Sequence, residues 1–208
     1  VRLNRSGLEN TSAQIMKPQK RHYADVFDKH FITEIFRHSK PNAFLVPDPV
    51  RVNFWQERLN LLGQRPFVGI SWKSPLMNPK RLPNYTQISD WAPVLSLKNV
   101  TFVNLQSSDF KDDLAEIQDK FGTNVNNFDD LDHYNDLDDV AALSAALDIA
   151  VSVSTAVSTI AAGVGTPTKM LHWRQSYWNN IIFTPPGPVV DIFERNTWEP
   201  WDGVFQSV

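Results

Sequence analysis

Residues 149–168 constrain the fold of this chain more than any other stretch of its sequence. They begin with an apolar run rich in β-branched residues at 149–153, turn through Ser154 and Thr155, and continue through an Ala-rich segment to Gly165. This order predicts a buried strand, a tight turn, a short helix and the start of a further strand. A helix N-terminus favours anions because it offers free N–H groups and the positive end of the helix dipole. The stretch therefore predicts a phosphate or pyrophosphate site at the turn.

The same alternation of apolar runs and helical patterns extends over most of the sequence after Pro66. Strands are predicted at residues 67–72, 100–105, 125–128, 149–153, 168–172 and 189–193, and helices at 88–97, 112–121, 137–147, 156–162 and 200–207. Continuous apolar strands that alternate with helices are typical of an α/β fold with a Rossmann-like doubly wound parallel sheet. In such a sheet, ligands bind at the carboxyl ends of the strands.

The N-terminal part of the chain does not show this alternation. Lys, Arg and aromatic residues are scattered through residues 1–47, where one short helix at 23–37 fits the pattern. A second, amphipathic helix is predicted at 48–62, with Asp48 as its N-cap and Gly63 at its end. The predicted fold therefore includes an irregular, partly helical N-terminal segment.

The composition excludes several classes of protein. The net charge of −3 gives no indication of binding to nucleic acid or to an anionic membrane surface. The absence of cysteine excludes a disulfide framework, a thiolate zinc site and a cysteine nucleophile. No apolar run has the length of a membrane span and no signal peptide is visible, so we expect a cytoplasmic protein.

Polar residues follow the first two predicted strands, at the edge of the sheet where a ligand is expected. Ser71 and Lys73 follow the first strand, and Lys73 either neutralises a phosphate or is simply solvated. Gln106 ends the second strand, where it fits a hydrogen bond to a base or a sugar hydroxyl, and also an ordinary turn. Gly69 allows close approach of a neighbour or a ligand. The absence of G-x-G-x-x-G after the first strand argues against a Rossmann dehydrogenase.

Three other groups of residues suggest chemistry but also have structural explanations. An Asp-rich stretch near the middle of the chain invites a metal site, yet it lacks the EF-hand spacing. Asp136 or Asp138 fits a helix N-cap there, so we predict no metal. His133 and His172 fit the lining of a pocket, although neither has a partner visible in the sequence. The aromatic and amide residues at 172–180 suit a base or a sugar ring, and they also suit packing.

Taken together, these segments resemble the C-terminal, donor-binding domain of bacterial glycosyltransferases with the two-domain GT-B architecture. The resemblance is to the domain that often follows tetratricopeptide repeats. It extends to lipopolysaccharide heptosyltransferases and, more distantly, to O-linked N-acetylglucosamine transferases. The order and spacing of its motifs are specific, and they lie at residues 67–74, 91–95, 102–106, 136–168, 173–180 and 194–201.

This resemblance implies a site for a nucleotide sugar, with a UDP- or ADP-linked donor as substrate and with no cofactor or metal. It places the diphosphate over Ser154, Thr155 and Ala156 at the helix N-terminus, with Lys73 facing the phosphates and Gln106 near the base and ribose. The implied activity is transfer of a sugar to an unknown acceptor, which is a glycan, a lipid-linked sugar or a protein. The predicted nucleotide-sugar-binding residues are Ser71, Lys73, Gln106, Ser154, Thr155, Ala156, Ser158 and Trp173.

Differences from the family pattern leave a second interpretation open. Where heptosyltransferases usually carry an acidic residue and a His, this chain has Ser154 and Thr159. Residues 1–65 do not fit a complete N-terminal Rossmann domain. We expect them to be a remnant of one or a linker, followed by the nucleotide-sugar-binding domain. The alternative is a catalytically incomplete fragment or degenerate module that binds a nucleotide or a partner protein. Aromatic residues around Trp198 and Trp201, exposed without a partner domain, predict a homo-oligomer.

Overall fold

The computed structural model describes residues 43–79, 81–173, 190–196 and 199–208. The strands in these ranges are β1 Phe67–Ser71, β2 Thr101–Asn104, β3 Val125–Asn126, β4 Ile149–Val153, β5 Thr168–Trp173 and β6 Val190–Arg195. They form one sheet in the order β3-β2-β1-β4-β5-β6, and every pair of neighbours is parallel. This is the Rossmann-like, doubly wound α/β fold that the sequence predicts.

Helices connect these strands and cover both faces of the sheet. The α-helices in the described ranges are α1 Pro49–Leu62, α2 Ala92–Leu95, α3 Lys111–Phe121, α4 Leu137–Ala146, α5 Ala156–Gly163 and α6 Asp202–Phe205. Two short 3₁₀ helices, Leu82–Asn84 and Ile88–Trp91, lie between β1 and α2. None of the helices that the structure describes is long and apolar enough to cross a membrane.

Each face of the sheet packs against its own hydrophobic core, because successive side chains of a strand point to opposite faces. Val68 and Ile70 of β1 belong to one core, which α3, α6 and the segment around Trp91 cover. Phe67 of β1 belongs to the other core, which α1, α4 and α5 cover. Helix α1 contributes the buried Trp55 to this second core.

The predicted elements are present in the described ranges, but several differ in extent, such as the helix predicted at 200–207, which covers only Asp202–Phe205. The helix predicted at 88–97 is a 3₁₀ turn followed by the short α2. Pro93 has no N–H to donate, which interrupts the α-helical hydrogen-bond pattern there. The strand predicted at 125–128 ends at Asn126, whose side chain donates to the Phe102 carbonyl at 2.9 Å. The helix predicted at 23–37 lies outside the described residues.

Candidate functional site

The strand order reverses between β1 and β4, and a crevice is expected at the carboxyl ends of these two strands. From β1 the chain passes to β2 on one side, whereas β4 pairs with β1 on the other side. This reversal is the point where open α/β sheets bind ligands. Ser71 pairs with Ser152 in the register of β1 and β4. Lys73 and Ser154 each follow two residues later, beyond the ends of β1 and β4.

The N-terminus of α5 begins at the end of β4, where this crevice is expected. The first helical hydrogen bond runs from the Thr159 N–H to the Thr155 carbonyl at 3.3 Å, so the preceding N–H groups are not used by the helix ladder. Ala156 is exposed at the first position of the helix. Free N–H groups and the helix dipole at an exposed N-terminus can hold an anion.

Thr155 is the N-cap of this helix, and the side chain of Ser158 takes part in the capping. Its Oγ accepts from the Thr155 N–H at 3.2 Å and donates to the Thr155 carbonyl at 2.8 Å. Thr155 Oγ1 faces the helix in the arrangement of a capping box, but it is buried and makes no hydrogen bond of normal geometry with the described residues. The hydroxyl of Ser158 is therefore committed to the backbone of Thr155, whereas the hydroxyl of Thr155 is buried at the start of the helix.

Asn84 joins the turn after β4 to the end of β5. Its Nδ2 donates to the Ser154 carbonyl at 3.0 Å, and its Oδ1 accepts from the Trp173 N–H at 3.3 Å. Asn84 is buried and lies in a 3₁₀ helix of the long segment after β1. The sequence around Asn84 gives no indication of this role, because an Asn after a Pro fits an ordinary turn.

Gln106 holds the chain that leaves β1. Its Oε1 accepts from the Ser71 hydroxyl at 3.1 Å, from the Trp72 N–H at 3.0 Å and from the Lys73 N–H at 3.1 Å. Its Nε2 donates to the Lys73 carbonyl at 2.8 Å and to Ser108 Oγ at 2.5 Å. Both ends of the amide are thus engaged within the protein, and Gln106 and Ser71 are fully buried. The structure gives these two residues a positioning role, and their contact with a nucleotide stays a prediction.

Lys73 is paired with a carboxylate that the sequence analysis did not connect to it. Its Nζ forms an ion pair with Asp113 Oδ2, and the side chains are 27% and 20% exposed. The same oxygen accepts from Trp72 Nε1 at 2.8 Å. Asp113 lies in the first turn of α3, where an Asp is expected for the helix dipole alone. Its contact with Lys73 depends on the pairing of β1 with β2, so the local sequence around Asp113 does not indicate it.

The remaining candidates occupy different surroundings. Trp173 ends β5 and is half-buried, while the aromatic residues that follow it lie outside the described ranges. Gly69 makes a close approach to protein rather than to an open site, because a Cβ there would lie 2.5 Å from Leu105 Cδ1 and from Leu147 Cδ1.

The structure corrects the expectation that Trp201 is exposed. It is 4% exposed and donates to the Tyr85 carbonyl at 3.1 Å, so it offers no exposed surface for self-association.

Most of the Asp-rich stretch has structural partners. Asp136 is the N-cap of α4, as the sequence predicts, and its Oδ1 accepts from the Asp139 N–H at 3.1 Å. Arg51 binds Asp139 through two nitrogens and holds the pKa of that carboxyl below its ordinary value. Arg58 binds Asp130 in the same way, at 2.6 and 2.8 Å. Among the residues that the structure describes, no three acidic or histidine side chains are grouped as metal ligands.

His133 is buried at the same edge of the sheet, in the loop before α4. Its ring lies against Phe110 with 6.3 Å between the centroids. Neither ring nitrogen has a hydrogen-bond partner among the described residues. Burial lowers the pKa of His133 below its ordinary value of 6.5. The side chain is therefore neutral near pH 7.

Comparisons with known proteins support the fold. No protein-family model matches this sequence. Protein FlbA of Caulobacter vibrioides is 39% identical to it over 169 residues, a match that covers 79% of this chain and 28% of FlbA. The chain therefore spans under a third of the length of this curated relative.

Two solved structures share the architecture. The glycosyl transferase family 9 protein from Veillonella parvula matches with a TM-score of 0.54 and 12% identity, over 86% of this chain and 50% of that one. The E. coli ADP-heptose lps heptosyltransferase II matches with a TM-score of 0.50 and 19% identity, over 71% of this chain and 44% of that one. The chain spans about half the length of each. The described residues thus have the Rossmann-like fold found in about half of each of these GT-B glycosyltransferases.

Proposed function

We propose that this chain binds the diphosphate of a nucleotide sugar at the N-terminus of α5 and serves as the donor-binding half of a glycosyltransferase. The observation that carries the proposal is the exposed N-terminus of α5 at the point where the strand order reverses. An anion held there meets unused N–H groups and the positive end of the helix dipole. The resemblance to donor-binding domains and the fold of the two glycosyltransferases favour a nucleotide sugar over other anions.

In this proposal each candidate residue has a separate role. The N–H groups around Ala156 and the hydroxyl of Thr155 bind phosphate oxygens, and Lys73 supplies a positive charge. These groups stabilise the leaving diphosphate without a metal ion. Trp173 lies beside the base or the sugar, while Gln106 keeps the end of β1 in place. The ADP-heptose in the name of the E. coli relative favours an adenine nucleotide, with a uridine nucleotide as the other choice.

The finer assignment to the tetratricopeptide-repeat-associated kind, related to O-linked N-acetylglucosamine transferases, is also a proposal. A second candidate function is a module that binds a nucleotide without catalysis. Ser154 and Thr159 favour it, because neither supplies the ionisable side chain expected at the matching positions of heptosyltransferases.

Titration calorimetry with EDTA present tests the proposed site. We expect UDP or ADP to bind with a Kd in the millimolar range, roughly −4 kcal/mol, and the matching monophosphates to bind more weakly. Ala156→Asp places a carboxylate at the helix N-terminus, which stabilises the helix but repels a diphosphate. This variant should lose binding without a lower melting temperature. Ala156→Asn has a similar shape and no charge, so it should keep most of the affinity.

The outcomes separate the proposals. Equal affinity in Ala156→Asp and Ala156→Asn, or binding that requires a divalent cation, would contradict the assigned site. Binding in the wild-type chain, with no sugar transfer or donor hydrolysis by the full-length protein, would favour the non-catalytic module. Sugar release by the full-length protein that stops in Ala156→Asp would favour the enzyme.

A further inference from the structure

We propose that Lys73 has two positions, one on Asp113 in the empty protein and one on the donor diphosphate in the loaded protein, so that Asp113 competes with the diphosphate and sets its affinity. This inference rests on the proposed function, and it names a residue that controls the site without touching the nucleotide. Asp113 is therefore a positioning residue for Lys73.

The backbone of Lys73 is fixed by the side chain of Gln106. Gln106 accepts from its N–H at 3.1 Å and donates to its carbonyl at 2.8 Å. Since Gln106 is fully buried, these bonds are protected from water. Movement of the ammonium group is thus limited to the four-carbon stem of the side chain.

Lys73 lies between Asp113 and the turn at Ser154, which follow strands on opposite sides of β1. Asp113 follows β2, which pairs with one side of β1. The turn at Ser154 follows β4, which pairs with the other side. Neighbouring strands are about 4.8 Å apart, a distance that a lysine stem spans. The end of β1 is therefore next to the strand that leads into α5, while the ammonium group of Lys73 is turned toward α3.

Asp113 has a second partner that holds it in place when Lys73 leaves. Its Oδ2 also accepts from the indole N–H of Trp72 at 2.8 Å, and Trp72 is 1% exposed. The carboxylate of Asp113 is thus held by the indole N–H of Trp72, a buried side chain that cannot move together with Lys73. A diphosphate must draw the ammonium away from a fixed, partly buried carboxylate, and this costs affinity.

Affinity measurements on matched variants test the competition. Asp113→Asn removes the charge and keeps an oxygen for the Trp72 indole. Asp112→Asn removes the same charge from the same turn of α3, at an exposed position. We expect Asp113→Asn to bind ADP or UDP about three- to fivefold more tightly than Asp112→Asn, the range of a partly exposed ion pair. With Lys73→Met in both chains, this difference should disappear.

A spectroscopic measurement provides an independent test in the unmodified site. The indole N–H resonance of Trp72, assigned with Trp72→Phe, should shift when ADP saturates the protein, because Asp113 loses its second partner. The same resonance should stay in place in Lys73→Met at matched saturation. This readout does not depend on whether Asp113→Asn alters stability.

The results distinguish this inference from the proposed function. If the variants bind nucleotide but Asp113→Asn is no tighter than Asp112→Asn, the competition is wrong and the site stands. Weaker binding by Asp113→Asn would mean that the carboxylate supports Lys73 in its binding position, which also overturns the competition. If neither the wild-type chain nor any variant binds UDP or ADP at several millimolar, the proposed function fails and the inference fails with it.

Discussion

The side chain of Gln106 and the backbone of Lys73 hold each other through two hydrogen bonds. The Lys73 N–H donates to Gln106 Oε1 at 3.1 Å, and Gln106 Nε2 donates to the Lys73 carbonyl at 2.8 Å. The pair forms where β1 ends, at the reversal of strand order. A single buried amide thus fixes the segment that carries the candidate phosphate-binding cation.

Replacing this amide should destabilise the protein. Gln106→Leu leaves the N–H groups of Trp72 and Lys73 and the Lys73 carbonyl without their partner, and a buried polar group without a partner costs about 1–3 kcal/mol. We expect a loss of about 3 kcal/mol in the free energy of unfolding, measured by urea titration. Gln118→Leu, at an exposed position of α3, is the control and should change stability by under about 0.5 kcal/mol. A similar small effect in both variants would contradict the positioning role of Gln106.

Gly69 should not tolerate a side chain. A Cβ at this position would lie 2.5 Å from Leu105 Cδ1 and from Leu147 Cδ1, inside the core. We expect Gly69→Ala to cost about 2 kcal/mol through overpacking. Gly203→Ala is the matched change, because nothing lies within 4 Å of a Cβ there, and it should be neutral. Thermal denaturation measures the stability of both variants. An unchanged melting temperature for Gly69→Ala would contradict the prediction, because it would mean that the neighbouring side chains move aside without cost.

Two hydroxyls at the start of α5 should have different effects on stability. Ser158 Oγ makes two hydrogen bonds to Thr155, so Ser158→Ala should cost about 1–2 kcal/mol. Thr155 Oγ1 makes no hydrogen bond of normal geometry with the described residues, so Thr155→Val should cost less than about 0.5 kcal/mol. Unfolding in urea measures both. The opposite order would mean that the hydroxyl of Thr155, rather than that of Ser158, stabilises the start of the helix.

Stability should fall in mildly acidic solution because of His133. Burial lowers the pKa of this side chain below its ordinary value of 6.5. Below about pH 6.5 the unfolded chain therefore binds a proton that the folded chain excludes. The contribution of His133 to stability decreases as the pH falls from 6.5 toward the lowered pKa, and it does not vary above 6.5.

The variant His133→Leu isolates this effect. The difference in unfolding free energy between the wild-type chain and His133→Leu should be constant from pH 7 to pH 8. It should then shift in favour of the variant as the pH falls toward 5. A difference that stays the same from pH 5 to pH 8 would mean that His133 is protonated equally in both states.

The sequence predicts the fold well because the information for it is local. The strand at 149–153 and the helix that begins at Ala156 follow from hydrophobic pattern and turn residues alone. The N-caps Asp48 and Asp136 follow from the same local rules. The ends of helices and strands depend less on local pattern. At Asn126, where β3 ends, the side chain donates to the Phe102 carbonyl of the neighbouring strand.

The contacts around the candidate site could not be predicted, because they join segments that are distant in the sequence. Gln106 is 33 residues from Lys73, and Asn84 is 70 residues from Ser154. The pairing of Lys73 with Asp113 likewise depends on the placement of α3 after β2. Residue type alone suggests a ligand for Lys73 and Gln106, whereas the folded chain supplies protein partners for both.

Binding of a diphosphate at the N-terminus of α5 can be tested residue by residue with an NMR titration of the backbone amides. With ADP or UDP added in EDTA, we expect the largest shifts at Thr155, Ala156 and Val157, followed by Lys73. Inorganic pyrophosphate should shift the same amides, since the diphosphate is the group recognised. No shift at several millimolar nucleotide, or shifts confined to other parts of the chain, would contradict the account.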